Sequence, residues 1–214
     1  MYNEFEALFT SLFFNPQNHI SFVRALATKC KGLTRVELLF FTKIENGGSV
    51  TKTLQELIAA GFITLIFPFG KSKKDSLYRL TDAYCLFCLQ FIEKHKKATN
   101  TVLQHLQITI AWKIWCGYAF ENVCIAHINK IKQKLGISAI YTEISSFAIK
   151  TANQKQGFQI DLLIDRAENI INICEMKYYD AAFTLTKDYA AKLRQRVSNF
   201  REASGTQKTI ILLL

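Results

Sequence analysis

The stretch 157–179, GFQIDLLIDRAENIINICEMKYY, decides the fold of the C-terminal part of this chain. Residues 158–164 are rich in isoleucine and leucine, and residues 170–176 are rich in β-branched and apolar types. The polar segment 165–169 separates the two runs. Two apolar runs of this length, joined by a short polar turn, predict a β-hairpin.

The hairpin carries charged residues among its apolar ones. Alternation along a strand predicts that Gln159, Asp161 and Leu163 share one face and that Ile160, Leu162 and Ile164 share the other. On the second strand, Glu175 and Lys177 should share a face. A turn centred near Ala167 would place Asp161 directly or diagonally opposite Glu175. Two carboxylates and an ammonium group would then converge within an otherwise apolar hairpin.

Two interpretations of this convergence remain open from the hairpin alone. Carboxylates buried without partners are costly, and a divalent cation such as Mg²⁺ or Mn²⁺ compensates for that cost. In this interpretation Asp161 and Glu175 are metal ligands. The alternative is a solvated hairpin in which Glu175 and Lys177 form an ordinary ion pair.

Composition narrows the class of protein. The chain has 214 residues, half of them apolar, and a formal net charge of +10. The C-terminal part contributes more of this positive excess than the N-terminal part. Such an excess indicates a polyanionic partner, with nucleic acid favoured over a membrane surface. No run of twenty uncharged apolar residues occurs, and the start MYNEFEALF is acidic, unlike a signal peptide. We therefore expect a soluble cytoplasmic protein with no membrane partner.

The six cysteines lie mostly in apolar segments, as reduced thiols of intracellular proteins do. Cys85 and Cys88 have the spacing of metal ligands, but no second pair of cysteines or histidines accompanies them. Structural packing is the favoured role for both.

The N-terminal part, residues 1–93, is predicted to be a winged helix-turn-helix domain. Apolar spacing indicates helices at 2–14, 20–29 and 50–60, and a further helix starts at Thr34, where Glu37 completes a capping box. Strands at 62–67 and 76–80 follow, joined by a basic wing. Helix 50–60 would enter the major groove and the wing would contact phosphate. The candidate DNA-binding residues here are Lys52, Lys71, Lys73 and Lys74.

DNA contact is not the only role open to this domain. Helix 50–60 carries one lysine and no arginine, and Glu56 opposes contact with phosphate. Winged helices also serve as protein docking modules. The wing lysines favour DNA.

Residues 101–214 are predicted to form an α/β domain, after a charged linker at 94–100. Its order is helix 101–135, strand 138–149, the hairpin, a helix capped by Thr186, and an apolar strand at 209–214 that we expect to be buried. Glu121 lies on or beside the buried stripe of the first helix. Arg194 and Arg196 belong to the basic surface of the second helix, which is predicted to face a nucleic-acid backbone.

The pattern Asp161-x13-Glu175-x-Lys177, within an α-β-β-β-α-β order, resembles the PD-(D/E)XK nuclease superfamily. The resemblance implies that Asp161 and Glu175 hold Mg²⁺, that Glu121 supports the metal, and that Lys177 positions and activates the attacking water.

A wider resemblance covers nearly the whole chain. The segments GLTR (32–35), GGS (47–49), PFGKSKKDSLYRLTD (68–82), WCGYAFE (115–121) and the hairpin are similar to the C-terminal half of archaeal-type AAA+ ATPases. That half comprises a winged helix and a nuclease-like domain. The relatives begin with a P-loop ATPase domain, but GxxxxGK[ST] does not occur here, so ATP hydrolysis is not implied. The final strand, which has no cap, suggests that the chain stops early compared with these relatives.

Two functions are therefore predicted. The first is Mg²⁺-dependent cleavage of DNA, with Asp161, Glu175, Lys177 and Glu121 as catalytic residues. The alternative is a non-catalytic DNA- or protein-binding module, the regulatory half of a split or truncated ATPase. A separate or upstream P-loop ATPase domain is a partner in that case.

Overall fold

The computed structural model describes residues 4–95, 105–149 and 157–214, and these form a mixed α/β structure. The chain divides into two compact units, Met1–Ile66 with Ser72–Trp115 and Phe67–Lys71 with Cys116–Leu214. The division falls between Trp115 and Cys116, whereas the predicted linker 94–100 lies largely outside the described residues.

Four helices open the first unit, as predicted: α1 (Glu4–Leu12), α2 (Gln17–Ala27), α3 (Arg35–Thr42) and α4 (Gly48–Ala59). The Thr34 hydroxyl accepts a hydrogen bond from the backbone N–H of Glu37, and the Glu37 carboxylate accepts one from the backbone N–H of Thr34. The predicted capping box is therefore confirmed. The apolar faces of the four helices pack into one core that includes Phe5, Phe9, Phe22, Leu26, Leu38, Leu54 and Leu57.

Three strands complete this unit in the order β1-β3-β2: β1 (Leu33–Thr34), β2 (Ile63–Pro68) and β3 (Leu77–Leu80), all antiparallel. A 3₁₀ turn at Lys73–Asp75 precedes β3. Asp82 then caps α5 (Ala83–Phe87), which continues into a π turn at Cys88–Ile92 and a 3₁₀ turn at Glu93–His95.

The second unit has the predicted α-β-β-β-α-β succession. Helix α6 (Ile110–Ala126), which crosses the division, and α7 (Ile128–Lys134) precede β4 (Thr142–Ile149), β5 (Phe158–Arg166) and β6 (Ile170–Cys174). Helix α8 (Lys187–Ser204) and β7 (Thr209–Leu213) follow. Strands β4, β5 and β6 are antiparallel neighbours, and β7 runs parallel to β6. Phe67 and Pro68, the last residues of β2, belong to this second unit and pair parallel with β4.

This sheet separates two apolar clusters. Phe200 of α8 packs edge-on against Phe147 of β4, with ring centroids 4.9 Å apart, in a cluster that includes Leu163 and Ile173. On the other side, α7 covers a cluster made of Ile137, Leu162, Ile164 and Cys174. Both faces of β5 and β6 are thus buried, which explains their nearly continuous apolar sequence.

Strand β7 differs from its prediction as a buried strand. None of its residues is fully buried, and Thr209 and Ile211 are exposed. In the described part of the chain, β7 pairs only with β6, so its other edge stays open. An apolar run alone did not distinguish a central strand from an edge strand.

Six free cysteines are present, and Cys85 and Cys88 are buried. Burial raises the pKa of both thiols, that of Cys85 strongly. This favours the packing role over metal binding. None of the helices within the described ranges has both the length and the apolar character needed to cross a membrane.

Gly32 is the position where glycine is required. Its φ is +97°, and a Cβ there would lie 2.7 Å from the carbonyl oxygen of Tyr78. We expect Gly32→Ala to lower the free energy of unfolding by about 1–3 kcal/mol, because both the backbone conformation and the contact with β3 are unfavourable. Gly48→Ala is the matched control, since a Cβ at Gly48 meets nothing within 4 Å. Urea titration followed by circular dichroism measures both, and equal losses would contradict the explanation.

Candidate functional site

The hairpin contains a β-bulge at the predicted metal ligand. Ser145 of β4 pairs with Leu163 and Phe147 pairs with Ile160, so Asp161 and Leu162 together oppose the single residue Ser146. Bulges of this kind redirect side chains and are common beside active sites.

The bulge overturns the predicted strict alternation. Ile160 packs in the same cluster as Leu163, whereas Leu162 and Ile164 pack in the other cluster. The prediction that Ile160 shares a face with Leu162 is therefore wrong. The physical reason is the extra residue in β5, which shifts the pleat by one position.

The register nevertheless aligns the two predicted acids. The last pair of the β5–β6 ladder is Leu162 opposite Cys174, and the next residue on each strand is Asp161 and Glu175. The Asp161 carboxylate accepts a hydrogen bond of 2.7 Å from the side-chain amide of Gln159. Asp161 thus lies at the bulge, just beyond the ladder.

Glu175 is a nearly buried carboxylate, with 8% of its side chain exposed. Its Oε1 accepts a hydrogen bond of 2.9 Å from the Tyr189 hydroxyl and lies 3.6 Å from Lys177 Nζ. Its Oε2 forms an ion pair with the Arg196 guanidinium. The predicted contact between Glu175 and Lys177 is therefore present, and α8 supplies two further donors.

Tyr189 stays protonated in this arrangement. Burial raises the pKa of its hydroxyl far above the ordinary value, and the hydrogen bond to Glu175 adds to that rise. Tyr189 can therefore donate to Glu175 throughout the physiological pH range.

Glu121 is half-buried on α6. Burial raises the pKa of Cys124, one turn further along α6, and the charge of Glu121 adds to that rise. Within the described residues, 4–95, 105–149 and 157–214, no three acidic, histidine or cysteine side chains form a group that could hold a metal ion. The structure does not gather Glu121, Asp161 and Glu175 into an all-protein metal site.

The donor chemistry nevertheless fits Mg²⁺ in one way. This ion is usually bound through one or two carboxylates together with substrate phosphates and water. Asp161 and Glu175 provide two such carboxylates, which the register places opposite each other. A metal bound through Glu175 would compete with Arg196 for the same carboxylate.

A cavity of about 400 Å³ adjoins the pair Glu175 and Lys177. It is mainly apolar and includes Phe120 and Tyr179 in its wall. Glu175 and Lys177 are the charged residues among those that line it.

The predicted DNA-binding lysines are placed as follows. In the first unit, Lys73 and Lys74 are exposed on the 3₁₀ turn. Lys52 on α4 is exposed and lies 3.8 Å from Glu56, whose carboxylate also forms a 2.8 Å hydrogen bond with His19. Lys71, in the second unit, is exposed.

The two predicted arginines of α8 have different surroundings. Arg194 is exposed, whereas Arg196 is partly buried and engaged by Glu175. Both were predicted to lie on a surface that faces a nucleic-acid backbone, and the ion pair between Arg196 and Glu175 was not predicted. The hydrogen bond that Tyr189 donates to Glu175 was not predicted from the sequence either. The seven-residue spacing of Tyr189 and Arg196, two helical turns, is the signal that they project to the same side.

Comparison with models of protein families, with curated proteins and with solved structures finds no match to this chain. The resemblance noted from the motifs therefore stays a prediction.

The Arg196 contact can be tested by its removal. We expect Arg196→Met to lower the free energy of unfolding by about 1–3 kcal/mol, because a nearly buried Glu175 loses a charged partner. Arg194→Met is the matched control and should change stability by less than about 0.5 kcal/mol. Adding Glu175→Gln to Arg196→Met should recover part of the loss, which a double-mutant cycle measures. Strict additivity would show that the two side chains do not interact.

Proposed function

We propose that this chain binds DNA and hydrolyses phosphodiester bonds with Mg²⁺ at a site formed by Asp161, Glu175 and Lys177. The observation that carries the proposal is the end of the hairpin. There Glu175 and Lys177 approach within 3.6 Å, and Asp161 occupies a bulge that the register places opposite Glu175.

The element order supports the proposal. The α-β-β-β-α-β succession of the second unit is the one that the resemblance to PD-(D/E)XK nucleases implies. In the first unit, helices followed by an antiparallel strand pair with lysines on the connecting turn match the arrangement expected of a winged helix.

Each side chain has a distinct task in this proposal. Asp161 and Glu175 would hold the metal, which when bound supplies a more acidic water and neutralises phosphate charge. Lys177 is about half exposed, so its ammonium can contact a phosphate while it stays near Glu175. Arg196 stabilises the Glu175 charge, and its guanidinium also has the geometry to bind a phosphate.

A second function is favoured by one specific observation. Both oxygens of Glu175 already have protein partners. In a non-catalytic DNA- or protein-binding module, Arg196 and Glu175 would form a permanent structural pair that anchors α8. Such a module would retain salt-sensitive DNA affinity and cut nothing.

Metal-dependent activity distinguishes the two functions. We expect Mn²⁺ to bind the parent protein in calorimetric titrations and to support nicking of plasmid DNA, and Asp161→Asn to abolish both. Asp165→Asn is the matched control on the same strand, where Lys208 holds the carboxylate at 2.5 Å, and it should preserve both activities. Glu121→Gln should weaken Mn²⁺ binding if Glu121 supports the metal. Equal Mn²⁺ binding by the parent protein and Asp161→Asn would contradict the proposed site.

The wing turn carries the prediction for DNA affinity. Lys71, Lys73 and Lys74 are exposed, so their combined replacement by alanine should leave stability unchanged. We expect weaker duplex binding, by a similar factor for different sequences, and a shallower dependence of log Kd on log salt concentration. Fluorescence anisotropy at several salt concentrations measures both, and an unchanged slope would show that these lysines do not contact phosphate.

A further inference from the structure

The segment Tyr178–Phe183 presents aromatic rings to solvent beside the proposed site. Tyr178 and Tyr179 are each 49% exposed, and Phe183 is 41% exposed. The segment has no helix or strand and begins directly after Lys177. By contrast, Phe147 and Phe200 of the same unit are buried in its core. Several exposed large rings close together indicate a binding surface, because isolated exposure is common but clustering is not.

The rings are arranged as a platform between two cavities. Tyr179 and Phe183 lie with centroids 4.7 Å apart and their planes tilted by 31°. Both residues line the cavity of about 400 Å³ next to Glu175 and a second cavity of about 410 Å³. These volumes are in the range of about 300–1,000 Å³ typical of small-ligand sites. A flat ring entering either cavity would therefore meet an aromatic side chain.

Charge beside the platform favours an anionic ligand. Lys177 lines the first cavity and Lys192 lines the second. Glu175, the acid of the first cavity, is paired with Arg196, so positive charge exceeds negative charge there, whereas Asp188 offsets Lys192 in the second cavity. Flat rings beside lysines suit nucleotides, whose bases stack on aromatic side chains while their phosphates pair with cations.

We propose that Tyr179 and Phe183 form a stacking platform for unpaired bases of a nucleic-acid strand. This deepens the proposed function, on which it rests, by naming the substrate class as single-stranded or unpaired DNA. Bases within a duplex have both faces covered by their neighbours, so only unpaired or flipped bases can stack on a side chain. A strand bound at the platform would have its phosphates near Lys177 and Lys192.

Binding measured in EDTA tests the platform separately from cleavage. The probe is a fluorescently labelled, unstructured single-stranded oligonucleotide, and the comparison is a blunt duplex of the same length. The variant Tyr179→Ala with Phe183→Ala should bind the single strand about 5- to 150-fold more weakly for each stacked base lost. Duplex affinity should stay unchanged. The salt slope should also stay unchanged, because no charge is removed.

Two matched variants control for the loss of aromatic surface. Tyr141→Ala removes a tyrosine that is 70% exposed in the same unit but lines neither cavity, and it should bind like the parent protein. Tyr179→Phe with Phe183→Tyr exchanges the two rings and should retain single-strand affinity. Circular dichroism melting shows whether each variant remains folded.

The outcomes separate this inference from the nuclease proposal. Unchanged single-strand affinity, or an equal loss for single strand and duplex, would overturn the platform. A variant that alters only self-association in sedimentation would also overturn it, and would assign the rings to a protein interface. A selective loss of single-strand affinity without any Mn²⁺-dependent cleavage would support the platform and reject the nuclease. Mn²⁺-dependent cleavage without a selective loss of single-strand affinity would support the nuclease and reject the platform.

Discussion

The second unit depends on how one buried carboxylate is neutralised. Glu175 follows the last residue of β6 and is nearly inaccessible to water, so its charge requires donors from the protein. Tyr189 and Arg196 supply them from α8, and Lys177 supplies a further cation from the same strand end. The backbone N–H of Glu175 also donates to Leu213 of β7. One residue therefore links β6, β7 and the helix between them.

This arrangement would couple the two ligands of the proposed site, metal and phosphate. A metal at Glu175 competes with Arg196, so metal binding would release a guanidinium next to Lys177. A released guanidinium favours a phosphate, which it can bind through two parallel hydrogen bonds. Bound phosphate would in turn keep Arg196 away from Glu175. By linkage, metal and phosphate would then each raise the affinity for the other.

Features that depend on residues close in the chain could be predicted from the sequence, whereas features that depend on distant residues could not. The capping box at Thr34 and the hairpin at 158–174 depend on residues close in the chain, and both are observed. The bulge at Asp161 could not be predicted, because Leu162, Leu163 and Ile164 are all apolar and a shift of one position leaves the pattern unchanged. The ion pair of Arg196 was missed because it joins α8 to a strand end twenty-one residues earlier in the chain. The open edge of β7 depends on which strands are its neighbours.

The spacing between Lys177 and Tyr179 limits what the site and the platform can share. Two residues of extended chain span at most about 7 Å. Lys177 and Tyr179 also both line the cavity of about 400 Å³ beside Glu175, so a phosphate held by Lys177 and a base stacked on Tyr179 would lie close together on one strand. The segment Tyr178–Phe183 begins just after Glu175 and Lys177, and the contacts of Glu175 with α8 hold its start in place. Thr186, the N-cap of α8, holds its end. Anchoring at both ends restricts the conformations of the segment, and this lowers the entropy cost of stacking a base on exposed rings.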